Sequence, residues 1–270
     1  MSVHPEPRTA AEELPHARRS LDAWLSWLPV WRRNFRVWYK LVGPALLGNI
    51  GEPLLYLFGL GYGLGAFVGE VGGLDYLTFL ASGIVCASAM NTASFEGMYS
   101  AYTRMAVQQT WTGMLMTPLS VADVVIGEAV WAASKSLLSA AASLLVASLL
   151  GVVHGPMALW VLPVAFLLGF SFAGLALVVT AFSKSYDFFL YYFTLVITPV
   201  LLLSGVFFPI DEMPAVIRSA ANLLPLSHAV ALVRPLMTGQ PVADVLLHLA
   251  VPPPMRRPRF GSRFAWCVGG

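Results

Sequence analysis

The sequence predicts an all-α integral membrane protein: a polytopic helical bundle of five full spans plus a truncated or atypical sixth, with an N-terminal amphipathic interfacial helix. Three observations lead there. The composition is 57% hydrophobic and 11% charged, with a mean hydropathy of +0.72, too little charge to cover a water-soluble surface. Apolar stretches at 41–67, 76–95, 121–152, 158–182 and 188–208 reach the roughly 20 residues that an α-helix needs to cross the hydrocarbon. Basic residues alternate between the two sides of these stretches. Arg8, Arg18, Arg19, Arg32, Arg33, Arg36 and Lys40 precede the first, Arg104 and Lys184 fall in the second and fourth connections, and 68–75 and 153–157 carry neither Lys nor Arg. The basic side faces the cytoplasm, so the N-terminus is expected there and the region from Pro209 to Gln240 outside. Orientation accounts for the net charge of +2, and no nucleic-acid partner is implied.

Residues 1–22 read as a flexible cytoplasmic N-terminus; they lack the apolar core of a signal peptide. Over 23–40, Trp24, Leu28, Trp31, Phe35 and Trp38 fall on one stripe at helical pitch, and Arg32, Arg33, Arg36 and Lys40 on another face. This pattern predicts a helix in the interface, its aromatic stripe in the membrane and its cations near anionic headgroups. Pro29 suits a first helical turn and not an interior, so the regular part is expected to begin there.

The transmembrane domain is expected over 41–251. In its first span Gly59 with Gly63, and Gly61 with Gly65, form small-xxx-small pairs that admit a neighbouring helix; GLGYGLG lacks the Lys-Ser or Lys-Thr of a phosphate loop. Asn49 and Glu52 share a face of this span, and Glu128 and Lys135 share a face of the third. Seven residues rise about 10 Å, so Glu128 and Lys135 cannot pair directly within one helix. Each needs a partner on another helix or a place near the membrane surface, either as a structural contact or as part of a polar path. In the connection 96–120, Tyr99, Tyr102, Met105 and Ala106 recur at helical spacing, which predicts a short amphipathic cytoplasmic helix.

After the fifth span the chain turns half polar. Pro209, Asp211, Glu212, Pro214 and Pro225 belong outside the hydrocarbon, where their polar groups find water. Val216, Ile217, Ala220, Leu223 and Leu224 keep a helical spacing, so short half-helices dipping back toward the membrane are expected, forming a lid. Asp211 and Glu212 read as solvated turn residues. His228, next to Ser227 but without an orienting acid, is accounted for by a loop hydrogen bond. A sixth span begins at 242–251, but ten residues rise only about 15 Å of a core of roughly 30 Å. Pro252, Pro253, Pro254, Arg256, Arg257, Pro258 and Arg259 then stop it. The tail 252–270 is read as a frameshifted or truncated end and the chain as a poor exporter, with a natural five-span variant as the alternative.

There is no nucleotide-binding, catalytic-triad or metal motif, and Cys86 and Cys267 offer no disulfide framework or metal spacing. Neither catalytic residues nor a cofactor are expected.

GMLMTPLSVADVVIGEAVWA (113–132), SGVFFPIDEMP (204–214) and LLPLSHAVALVRP (223–235) resemble the membrane subunit of type-2 ABC transporters. GNIGEPLLYLFGLGYGLG (48–65), SFEGMYSAYTRM (94–105) and SYDFFLYYFTLVITPVLLLSG (185–205) resemble, more narrowly, the nodulation-type lipo-oligosaccharide exporter permeases. The resemblance spans 31–248. It implies a transport subunit of the bacterial inner (plasma) membrane that pairs with a second copy and with a cytosolic ABC ATPase, which uses the ATP, and that moves an amphipathic glycolipid or polysaccharide. The helix bearing Tyr99, Tyr102, Arg104 and Met105 would be the coupling element, the helix bearing Trp31, Arg32, Arg33, Arg36 and Trp38 its brace, and the first, second and fifth spans of two copies the path. The alternatives are an exporter of drugs or hydrophobic compounds, a proton-coupled secondary transporter using Glu52, Glu128 or Asp187, and a membrane-embedded lipid enzyme. A secondary transporter is expected to show span repeats, which are not visible in the sequence.

Overall fold

The computed structural model describes residues 25–240; Trp24, the start of a sixth span at 242–251 and the tail 252–270 lie outside them. A first helix, α1 (Leu28–Tyr39), carries Pro29 in its first turn, as the missing amide donor of proline requires. It meets α2 (Val42–Val68) at a bend of 83°. The two are therefore separate helices. A two-residue hairpin follows, β1 (Glu70–Val71) against β2 (Leu74–Asp75). Gly72 and Gly73 take its turn with φ of 60° and 78°, the left-handed pair that such a tight hairpin demands.

Asp75 caps α3 (Tyr76–Val107) by accepting from the Leu77 amide at 3.1 Å. This helix is 32 residues long and corrects the expected end of the second span at residue 95: the segment read as a cytoplasmic connection with its own short helix continues α3 by two further turns and more. Two wide π turns, Glu96–Ser100 and Thr103–Val107, carry it there. At Gln109, with φ of 52°, the chain reverses into α4 (Thr110–Leu115).

Ser120 and Asp123 then form a reciprocal capping box at the start of α5 (Val121–Leu149), with bonds of 2.8 and 3.2 Å, which satisfies two donors that a helix end leaves orphaned. α6 (Pro156–Phe182) and α7 (Asp187–Leu203) follow. The latter stops short of residue 208, because Ser204 closes the helix on the Val200 carbonyl and Gly205 adopts φ of 75°. Among the described residues α3, α5 and α6 each have the length and apolarity to cross a membrane alone, α7 is a shorter apolar helix, and two bent helix pairs qualify only as broken spans. The all-α membrane class holds apart from the small hairpin.

The core is the mutual packing of α3, α5 and α6. Beyond α7, two short helices form where the sequence suggested half-helices: α8 (Ala215–Ala221) and α9 (Pro225–Thr238) meet at 84°, and α9 packs on α3 and α6. The His228 ring bonds the Asn222 carbonyl at 2.9 Å across the bend. Of the small-residue pairs in α2, only Gly61 with Gly65 faces other described residues. A Cβ at Gly61 would come within 2.4 Å of Leu77, whereas Gly59 and Gly63 face open space.

Candidate functional site

The aromatic stripe of α1 is packed in part against α5, a contact the sequence reading did not foresee. Trp31, Phe35 and Trp38 pack their rings around Trp131 of α5, at centroid distances of 6.4, 6.4 and 6.1 Å, and the Trp31 indole donates to Ser134 at 3.0 Å. The physical reason is local. Gly127 leaves no side chain between the helices, and a Cβ there would stand 2.6 Å from Val30 and 2.9 Å from the Trp27 carbonyl. Arg32 and Arg36 remain exposed, while Arg33 turns inward, donating to Asn34 at 3.0 Å and to Thr110 at 3.4 Å.

Beneath α1, the intramembrane charges predicted to need partners find them. Arg104 donates to both oxygens of Glu128, at 3.0 and 2.5 Å, and to Glu96 at 2.9 Å; Lys135 donates to the other oxygen of Glu96 at 2.8 Å. Trp131 adds a bond of 2.8 Å to Glu96, and Trp111 one of 3.3 Å to Glu128. The result is a neutral chain, Glu128–Arg104–Glu96–Lys135, across α3 and α5. Glu128 is 1% exposed, so its place near the end of its span does not bring it to the surface. Glu96 and Arg104 are eight residues apart in one helix. At regular α pitch that leaves them about 80° apart around the axis; the π turns between them put both on the side facing α5. In this low-dielectric setting, charges are tolerated because each is paired and hydrogen-bonded.

Tyr99 and Tyr102 are also packed inward. They sit among Tyr186, Phe189 and Phe193 of the α6–α7 connection and α7, and Tyr102 donates to the Lys184 carbonyl at 2.8 Å. Met105 packs beside them. The exposed surface at this end of the molecule lies further along, from Val107 through Gln109 and at Thr112, Leu115 and Met116.

Asn49, Glu52 and Lys135 come to one cavity of about 460 Å³ between α2, α3 and α7. Its wall is polar at Asn49, Glu52, Asn91 and Thr92 and apolar at Phe95, Phe193, Ile197 and Leu201. Glu128 is not part of it. Lys135 lines both this cavity and a second one of about 280 Å³ under α1. At the other end of α3, Pro209, Asp211 and His228 line a cavity of about 340 Å³, whereas Pro214 and Pro225 open α8 and α9. Sequence reasoning missed Arg234, which donates to Ser82 at 3.0 Å and the Gly205 carbonyl at 2.9 Å and lies 3.7 Å over the Phe79 ring, anchoring α9. It also missed Glu96, which read as the first residue of a connection and gave no signal until its partners on α5 were in place.

Comparison with known proteins decides the family. Residues 26–238 match the model of the ABC-2 type transporter family. The chain belongs to that family. It is 52% identical over 225 residues to nodulation protein J of Rhizobium leguminosarum bv. trifolii, covering 83% of this chain and 86% of that one. It is 46% identical over 225 residues to nodulation protein J of Sinorhizobium fredii (strain NBRC 101917 / NGR234), with the same coverages of 83% and 86%. To the inner membrane transport permease YadH of Escherichia coli (strain K12) it is 23% identical over 224 residues, 77% of this chain and 81% of that one. No solved structure matches. The chain is thus a membrane permease subunit of an ABC-2 type exporter.

Proposed function

We propose that this permease works as two copies with two cytosolic ATPase subunits, N-terminus cytoplasmic, and exports a lipo-oligosaccharide or similar amphipathic glycolipid. The observation that carries the reading is the two-sided wall of the cavity between α2, α3 and α7: amides, a carboxylate and a hydroxyl for sugar groups, and Phe95, Phe193, Ile197 and Leu201 for an acyl chain. Two-sided lining of this kind suits a ligand that is itself half polar. The exposed tip from Val107 to Met116 is where the ATPase docks. Tyr99, Tyr102, Arg104 and Met105 act behind that contact, passing its motion to α5 through the Glu96 and Glu128 pairs. α7, α8 and α9 with the outer loop close the path at its other end.

A photo-crosslinking residue placed at Phe193 or Ile197 of the assembled transporter is expected to label a lipo-oligosaccharide. The same residue at Val178, which is exposed on α6, is expected not to. Equal labelling at Val178, or none at the cavity positions, contradicts the proposal.

A further inference from the structure

The cavity of about 280 Å³ under α1 has a feature that the ion network does not explain. Two side-chain donors on its wall, Asn34 Nδ2 and Trp38 Nε1, are buried and have no hydrogen-bond acceptor. Asn34 is 3% exposed, and its amide orientation is set because Oδ1 accepts from Arg33, leaving the NH₂ group as the unsatisfied one. Leaving a buried donor without a partner is costly, so each such group calls for one. Arg33, on the same wall, has no carboxylate within ion-pair distance among the described residues; the three ion pairs found there all belong to Arg104 and Lys135. Glu96 also lines the cavity, but Arg104, Lys135 and Trp131 already occupy its oxygens. The wall therefore presents two orphan N–H donors and one uncompensated guanidinium, and calls for an anionic acceptor.

We propose that this cavity binds the phosphate of an anionic phospholipid headgroup, its oxygens accepting from Asn34, Trp38 and Arg33. A lipid is favoured over a free phosphate because Val37, on the cavity wall, and the neighbouring Tyr39 and Leu41 are exposed apolar surface, 51%, 65% and 61% respectively, against which acyl chains can lie. The volume has room for several waters at about 30 Å³ each, enough for a headgroup but not for the chains. The headgroup would be held by α1 in the space between it and the α3 and α5 residues that complete the cavity wall. The site stands apart from the export reading, since binding is read without transport.

The test uses the purified full-length chain in detergent, titrated by native mass spectrometry with dioleoyl phosphatidylglycerol, dioleoyl phosphatidylcholine, dioleoylglycerol and inorganic phosphate. Phosphatidylglycerol is expected to bind saturably and more tightly than phosphatidylcholine, and dioleoylglycerol not to bind at the site. Arg33→Gln, Asn34→Leu and Trp38→Phe are each expected to weaken phosphatidylglycerol roughly tenfold, the loss of one hydrogen bond to a charged group. Trp38→Phe keeps the ring packing and so separates lost binding from lost fold. Lys184→Gln removes the same charge from an exposed position and is expected to change nothing. Unchanged binding in all three variants overturns the proposal. So does saturation by inorganic phosphate that the lipid cannot displace, or equal binding of dioleoylglycerol.

Discussion

Replacing Arg104 with Met isolates the energetics of the buried network. The side chain bridges Glu96 and Glu128, which are 3% and 1% exposed at their side chains. Its loss changes the network from neutral to a charge of −1, but unequally: Glu96 keeps Lys135 and Trp131, whereas Glu128 keeps only the Trp111 indole at 3.3 Å. Leaving one buried charge unpaired costs about 3–5 kcal/mol, so Arg104→Met is expected to lose that much stability. Arg104→Met combined with Glu128→Leu leaves the balanced Glu96–Lys135 pair, and apolar replacement of a buried ion pair is close to neutral. The double variant is therefore expected to recover at least about 2 kcal/mol of the loss. Unfolding of the purified chain in mixed micelles, followed by circular dichroism against denaturant, measures both values by linear extrapolation. A single-variant loss below about 0.5 kcal/mol, or a double variant as unstable as the sum of its parts, refutes the network as the bond between α3 and α5.

Three further outcomes follow from other parts of the fold. Gly127→Ala puts a Cβ 2.6 Å from Val30 and 2.9 Å from the Trp27 carbonyl; such overpacking is expected to cost about 1–3 kcal/mol and to loosen the Trp31–Trp131 contact, read as a red shift in tryptophan emission. Gly205→Ala forces a side chain onto φ of 75° and against Ile210 at 2.9 Å, and a loss of about 1–2 kcal/mol is expected in a melting experiment. Single cysteines at Gly72 and Ala215 are expected to react with an impermeant thiol reagent from outside the cell, and one at Gln108 only after the membrane is opened. Labelling of Gln108 in intact cells contradicts the orientation.

The long helices were legible because an uninterrupted apolar run has few alternatives in a chain with so little charge. Pro29, Pro214 and Pro225 likewise marked real starts, since proline lacks the donor that only a first turn can spare. The length of α3 was not legible. Glu96 and Arg104 look like the polar residues of a connection until Glu128 and Lys135 are known to neutralise them, and that pairing depends on how two helices pack. The face of α1 was half legible. Periodicity distinguishes an apolar stripe from a charged one, but it cannot show that the stripe meets the Trp131 ring, a contact that the missing side chain at Gly127 makes room for. Asn49, Glu52 and Lys135 were picked out because polar groups in apolar spans are rare; Asn91 and Thr92 share their cavity yet sit in a run read as plain span.

The claim that this permease carries no energy source of its own and is driven by a separate ATPase is tested most directly by ATP turnover. The full chain is purified alone and with the soluble protein that co-purifies with it from its native cells, and hydrolysis is measured with and without added lipo-oligosaccharide. The account predicts no turnover by the chain alone, turnover by the two-component complex that rises with lipo-oligosaccharide, and loss of that rise when Arg104 is replaced. ATP hydrolysis by the isolated chain, or a complex whose turnover ignores the glycolipid, contradicts it.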